Sequence, residues 1–547
     1  MTLHLKPSET TRSAVLNEAH GGQIRGAPGT ISPEDQGHYG TWKRRWQTLL
    51  AILDPGLIVM VGDNDAGAFG TYTQAGQNYG TTLLWTLLLL VPVLYVNQEM
   101  VLRLGAVTGV GHARLILERF GKFWGTFSVL DLVLLNALTI VTEFIGVSFA
   151  LSYLGVSKEF GVAISAAVIM GAVSTGDFRR FERFALALCA GSLLLVPVFL
   201  MVHPPLTEIA RNMLVVQLPK GAKLNEVMLL IIAIVGTTIA PWQLFFQQSY
   251  VIDKRITPRF ISYEKIDLWL GIILVLIGAT VIVAVTSAAF AGTPEAGRFV
   301  DAGDVATGLD HYAGRLPGAL FALALLDASI IGASAVSLST AYAIGDVLSL
   351  NHSLHRKPAE AKGFYGVYFA LVAVSAGLVL TPGTPLGLLT NAVQTLAGVL
   401  LPSATVFLLL LCNDKAVLGP WVNTRGMNLF TGAVIAVLVL LSIILTVSVL
   451  FPQATDEPVI VSMLISGGVV TVLAAFATKA LGGGGRRKRK SAVRIHTCES
   501  WRMPPLDELP PAKLSVASRA WMAALRIYLV AAVGLVLARI VMLAFRA

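Results

Sequence analysis

Gly62-Asp63-Asn64-Asp65-Ala66-Gly67-Ala68 and Gly236-Thr237-Thr238-Ile239-Ala240-Pro241-Trp242-Gln243 each interrupt a long apolar segment. The first puts two carboxylates, an amide and two glycines where an uninterrupted helix would otherwise run. The second carries a proline, which removes a backbone donor and clashes with the preceding turn. Glycine packing and a proline kink are ordinary in membrane helices. They do not account for Asp65, because an ionised carboxylate at that depth costs several kcal/mol unless a cation accompanies it. The two interruptions together predict an ion site where unwound helices meet.

Around these breaks the chain has the composition of a protein dissolved in lipid. Of its 547 residues 55% are apolar and 13% charged, and the mean hydropathy is +0.72. No water-exposed globular surface of this size supports that balance. About a dozen apolar stretches of roughly 18 to 25 residues are each long enough to cross ~30 Å of hydrocarbon as a helix. They run over 48–72, 82–104, 125–153, 161–175, 184–202, 227–251, 267–290, 316–348, 364–380, 386–412, 427–451 and 459–481. A last stretch, 521–545, carries Arg526 and Arg539 and reads as a thirteenth span or an interfacial helix.

Cytoplasmic connections should hold the Lys and Arg. Lys43-Arg44-Arg45 precede the first span, Arg103 to Lys122 follow the second, Arg179-Arg180 and Arg183 the fourth, and Lys254-Arg255 with Arg259 the sixth. His355-Arg356-Lys357, Lys415 with Arg425, and Arg486 to Lys490 continue the alternation, while Glu295, Asp301, Asp304, Asp310, Asp456 and Glu457 lie on the opposite side. This pattern fits a multi-pass protein of the cell membrane with its N-terminus in the cytoplasm. The expected organisation is a disordered cytoplasmic tail over 1–45, a transport core over 46–412, two further helices within 413–481, a basic flexible linker over 482–520 and a C-terminal apolar helix over 521–547. The linker, with its Gly482 to Gly485 run, reads as a stop-transfer anchor whose charge can also sit on anionic headgroups.

Other function classes fall away. The basic residues behind the net charge of +9 lie in short loops rather than on one face, so no nucleic acid is expected as a partner. Cys189, Cys412 and Cys498 have no paired spacing, which argues against a disulfide framework or a zinc site. No apolar leader with a small-residue cleavage site is seen at the start. There is no soluble block of catalytic size and no nucleotide, metalloprotease or nucleophile-elbow motif in a strand–helix context, so the chain is read as neither an enzyme nor an ATP-driven pump. No cofactor and no obligatory protein partner is expected beyond the bilayer and the ion.

Each break lies in the first helix of a group of five. Interrupted helices at matching positions of two five-helix halves mark an inverted-repeat transporter, because unwound carbonyls and half-helix ends meet at the bilayer centre. The predicted fold is an all-α polytopic membrane protein with a LeuT-like 5+5 inverted repeat, broken helices 1 and 6, and additional C-terminal helices.

Over about Trp46 to Leu450 the sequence resembles the NRAMP superfamily of divalent metal transporters. The family's first helix runs Gly-Pro-Gly, Asp-Pro-Gly-Asn, Gln-Ala-Gly; here the corresponding residues are Asp54-Pro55-Gly56, Asp65-Ala66-Gly67-Ala68 and Gln74-Ala75-Gly76. The family's Met-Pro-His in helix 6 corresponds to Ala240-Pro241-Trp242, Glu143-Phe144-Ile145-Gly146 is similar to its Glu-x-Ile-Gly, and Gln394 precedes Pro402 as in the family. The resemblance implies that Asp65, not Asp54, is the metal-binding aspartate. It also implies that the usual asparagine and methionine ligands are replaced by Ala68 and Ala240. Loss of the soft thioether leaves an all-oxygen site, which suits Mg²⁺ holding part of its hydration shell. The pattern is most like the NRAMP-related magnesium transporter branch, with Mn²⁺ a further substrate.

The resemblance also bears on protons. Trp242 and Gln247 stand where the family has histidines and Ile140 where it has an acidic residue, so only Glu143 remains of that relay. None of the three replacements exchanges a proton at physiological pH, and uncoupled transport driven by the membrane potential is expected. The expected metal set is Asp65, Asp63, Gly62, Ala68, Thr237, Ala240, Glu143, Gln243 and Gln394, with Trp242, Gln247 and Ile140 lining the cavity. Asp63 either holds the ion's water or caps the lower half-helix. Asp131 and Asp267, near span ends, read as interfacial, and Asp327 is open between a supporting ligand and a packed neutral acid. The alternatives are a proton-coupled manganese or iron carrier of the same family, and a non-transporting receptor of the same fold.

Overall fold

The computed structural model describes residues 22–32, 41–383, 386–451, 455–481 and 501–512, with single residues at 522, 530 and 534. All twelve expected spans correspond to helices. The first is divided into α1 (Trp42–Ile52), α2 (Pro55–Val61) and α3 (Ala66–Tyr79). Then come α4 (Leu84–Thr108), the short α5 (His112–Phe120), α6 (Lys122–Tyr153) and α7 (Lys158–Val173), followed by α8 (Phe178–Gly191) and α9 (Leu195–Val202) joined by a 3-10 turn. A connecting α10 (Leu206–Leu214) leads to the second broken helix, α11 (Leu224–Thr238) and α12 (Pro241–Asp253). The second half continues with α13 (Ile261–Phe290), the connecting α14 (Ala302–Ala313), α15 (Arg315–Val347), α16 (Lys362–Leu380) and α17 (Leu386–Cys412). After α18 (Lys415–Leu418), α19 (Arg425–Leu450) and α20 (Glu457–Leu481) complete the bundle. Among the described residues, eight helical stretches are individually long and apolar enough to cross a membrane. The architecture is the LeuT-like repeat with broken helices 1 and 6, flanked by additional C-terminal helices.

The core is built around α6, α13 and α15. The long α15 packs along α6, while α13 carries α2 and α3 on one face. Small residues permit this closeness. A Cβ on Gly271 would lie 2.7 Å from the Gly56 carbonyl oxygen, and one on Gly56 would lie 2.8 Å from the Leu268 Cα. The exposed face of α13 carries Ile266, Trp269, Leu270, Ile273 and Ile277, as expected of a helix side that meets lipid.

Two segments expected to be unstructured are ordered. Residues 22–32 form an antiparallel hairpin, β1 (Ile24–Arg25) with β2 (Thr30–Ile31), and both isoleucines are buried. Arg179 donates from Nε to the Gly26 carbonyl at 3.1 Å and from Nη2 to that of Gly29 at 3.1 Å, and Arg255 Nη1 donates to the Gln23 carbonyl at 3.0 Å. The tail therefore holds structure because buried isoleucines and satisfied carbonyls offset its chain entropy. Within the expected linker, residues 501–512 pack back on the bundle: the Met503 amide donates to the Val107 carbonyl and Arg119 Nη1 donates to that of Pro510 at 2.6 Å. The rest of the linker, the residues around it and nearly all of 521–547 lie outside the described residues.

The first helix has a second break that the sequence pattern hides, at Leu53–Asp54. Asp54 adopts φ +142°, a backbone conformation that favours glycine. Its carboxylate pairs with Lys254 Nζ, which also bonds Glu182 at 2.7 Å, and all three side chains are fully buried. Asp267 is not interfacial as expected. It is buried and accepts the Asp54 and Gly56 amides at 3.0 and 2.6 Å, so it caps the free N–H groups that open α2. Asp131 is half-buried and accepts from Ser403 at 3.2 Å.

Candidate functional site

α2 runs out at Gly62, where the chain has no Cβ and the Trp242 ring comes close: a Cβ there would lie 3.6 Å from the indole. The Asp63 and Asn64 amides close the last turn on the Met60 and Val61 carbonyls at 3.3 and 3.2 Å. The chain then extends through Asp65, which is the N-cap of α3 and accepts the Ala68 amide on Oδ1 at 2.9 Å. The free amide of Ala66 is taken by Glu143 Oε2 from α6 at 3.1 Å. Two carboxylates thus meet the positive end of one half-helix. The N-cap of α3 is Asp65 and not Asp63. α15 completes this side through Gly332, where a Cβ would lie 2.7 Å from Glu143 Oε2 and 2.9 Å from Asp65 Cβ.

The second break is set by Pro241 at the first position of α12, with Ala240 extended as its N-cap. Proline suits that place because the amide it lacks would be unpaired anyway. Thr238 ends α11 and shares a hydrogen bond of 2.9 Å with the Tyr72 hydroxyl of α3, tying the two broken helices together. Across the gap Gln243 Nε2 donates to Asp63 Oδ1. The same nitrogen lies 3.5 Å from the Thr238 carbonyl, and Gln243 Oε1 accepts from Gln98 Nε2 of α4 at 3.0 Å. Ser339 of α15 donates to the Trp242 carbonyl at 2.8 Å.

The expected residues Gly62, Asp63, Asp65, Ala68, Thr237, Ala240, Trp242 and Gln243 lie at the two breaks, and Glu143 joins them through the Ala66 amide. Asp63, Glu143 and Gln243 are fully buried and Asp65 is 6% exposed. Ile140 and Gln247 are buried a turn from Glu143 and Gln243, and neither atom of the Gln247 amide has a partner among the described residues. Gln394 belongs to α17, but its side chain lies outside the described residues. Among the described residues no Lys, Arg or His pairs with Asp63, Asp65 or Glu143, and no group of three His, Cys, Asp or Glu side chains is arranged to hold a metal. Asp327 stands apart from the breaks, against Gly191 at the turn between α8 and α9. The sequence reading missed Gln98, Tyr72, Ser339 and Gly332. Only Gln98 gave a signal, as part of Asn97-Gln98-Glu99, a polar triplet inside an apolar segment.

With this geometry in view, residues 56–448 match the Natural resistance-associated macrophage protein-like family, Nramp. The chain belongs to the Nramp family. The match runs from the start of α2 almost to the end of α19 and so takes in both breaks. Among Nramp relatives it is 28% identical over 398 residues to the divalent metal cation transporter MntH of Ralstonia nicotianae, covering 70% of this chain and 87% of that protein. It is 25% identical to the MntH of Bacillus subtilis over 461 residues, 80% of this chain and 97% of the relative. A crystal structure of the Eremococcus coleocola manganese transporter shares the fold at a TM-score of 0.63 and 20% identity, covering 81% of this chain and 96% of that one. Within this Nramp frame Ala68 and Ala240 leave the breaks without a side-chain amide or thioether at those two positions.

Proposed function

We propose that this Nramp protein is a secondary transporter of divalent metal ions, Mg²⁺ foremost with Mn²⁺ as a further substrate. The ion is held partly hydrated between the broken helices and moved by alternating access without coupled protons. One observation carries the proposal: Asp63 and Asp65 are buried together at the first break, facing the second, with no basic partner among the described residues. Such charge is tolerable in hydrocarbon when a cation neutralises it. The carboxylates, the neutral oxygens of Gln243 and Gln394, and the backbone carbonyls around Gly62 and Thr237 supply hard ligands. Ala68 and Ala240 add none. A site of few direct oxygen ligands suits an ion that gives up its water reluctantly, whereas a thioether would favour softer transition metals.

Trp242, Gln247 and Ile140 neither take up nor release a proton at physiological pH, so the membrane potential is the driving force. A divalent cation moving inward gains about 4.6 kcal/mol per 100 mV, from ~2.3 per charge. The N-terminus lies on the cytoplasmic side in this reading, with the basic connections. The rival is a proton-coupled manganese or iron carrier, and the similar Eremococcus coleocola structure is a manganese transporter; a receptor without transport is the third reading.

Uptake into proteoliposomes decides among them. The expected result is Mg²⁺ entry driven by a negative internal potential, competition by Mn²⁺, and no internal acidification. Ala240→Met is expected to tighten Mn²⁺ binding relative to Mg²⁺. Acidification coupled to entry would favour the rival, and absence of any divalent uptake would leave the receptor.

A further inference from the structure

Gln98 lies on α4, outside every motif that marks the site, yet it is 1% exposed and its Nε2 bonds Gln243 Oε1 at 3.0 Å. That bond fixes which way the Gln243 amide faces. With its oxygen turned to Gln98, Gln243 points its NH₂ at Asp63. An amide NH₂ satisfies a bare carboxylate, but it repels a cation, whose ligands must be oxygen. Gln98 Oε1 is buried and without a partner among the described residues, and so is Asp63 Oδ2. A concerted reversal of both amides is therefore open. Gln243 Nε2 would then donate to Gln98 Oε1, and Gln243 Oε1 would face Asp63 and the ion. One hydrogen bond is exchanged for another.

We propose that Gln98 is a positioning residue for selective cation binding. By exchanging amide sense with Gln243 it sets whether that residue offers a nitrogen or an oxygen to the space beside Asp63. The proposal rests on the divalent-ion reading above. Without a cation the sense shown is favoured, since two facing acceptors would repel. With a cation the reversed sense is favoured, and Gln98 is what accepts the displaced NH₂. In Gln98→Leu that NH₂ has no acceptor in the bound sense, and an unsatisfied buried donor is costly.

The test measures Mg²⁺ and Mn²⁺ binding to the purified full chain by calorimetry, and KM and kcat for Mg²⁺ uptake in proteoliposomes. Gln98→Leu is expected to raise Kd and KM about tenfold with little change in kcat. In a Gln243→Glu background both terminal atoms of residue 243 are oxygen, so one faces Asp63 in either sense and adding Gln98→Leu should have almost no effect. Gln98→Glu, which keeps the side-chain shape and adds an acceptor, should lower Kd in the native background and lose most of that effect beside Gln243→Glu. Wild-type affinity in Gln98→Leu, an undiminished effect in the Gln243→Glu background, or weaker binding by Gln98→Glu would each overturn the proposal. Failure of the wild type to bind or carry either metal would overturn the divalent-ion reading instead.

Discussion

Asp63 and Asp65 are separated by one residue and do different work. Asp65 closes the N-terminus of α3 through the Ala68 amide, while Asp63 faces Gln243 across the gap and leaves one oxygen without a partner among the described residues. Asparagine is as good an N-cap as aspartate. Asp65→Asn should therefore fold and melt like the wild type while losing divalent uptake by more than about tenfold, or about 1.4 kcal/mol. A thermal melt beside an uptake assay checks both halves, and a variant that transports normally would remove Asp65 from the site. Identity and register at this scale were legible: an acid between two glycines in an apolar segment is a costly residue in search of a partner. Its hydrogen-bond partner was not legible, because Ala68 supplies an amide that every residue but proline has.

At the scale of elements, the site depends on how closely α15 and α6 approach the start of α3. Gly332 allows that approach, since any Cβ there meets both Glu143 and Asp65. Gly366 in α16 has open space instead, with nothing within 4 Å of its Cβ position. Gly332→Ala is expected to cut transport strongly and lower the melting temperature, and Gly366→Ala to leave both unchanged; parallel uptake and melting curves decide. If the two alanine variants behave alike, close packing at α15 does not shape the site. The α1–α2 break belongs to the same scale. Asp54 holds a glycine-like conformation because its charge is needed against Lys254, beside Glu182, and Asp267 takes the amides that the turn frees. Four elements distant in sequence make that turn, so no local pattern announces it.

Across the whole molecule, the connection between α15 and α16 fastens the end of α12. Asp253 accepts Tyr342, Ser353 and the Leu354 amide at 2.6, 2.5 and 2.8 Å. In the same connection His352 pairs with Asp346 at 3.2 Å. Burial by itself would lower the His352 pKa, but the hydrogen bond and charge of Asp346 outweigh it and raise the pKa above its usual value of 6.5. The raised pKa means that this pair stabilises fully below about pH 6.5. The contribution fades as pH rises through the higher folded-state value. The melting temperature of wild type relative to His352→Gln should accordingly fall as pH is raised from 6.5, and a constant difference would refute the pairing. The sequence alone determined the membrane class, the two broken helices and the family, because lipid leaves only apolar helices as spanning elements and makes every polar interruption conspicuous. The tertiary structure alone decided that 22–32 and 501–512 are ordered, that Asp65 and Glu143 share the opening of α3, and that Gln98 reaches Gln243. Those outcomes depend on which distant groups satisfy one another's hydrogen bonds, and such pairings leave no periodic trace along a chain.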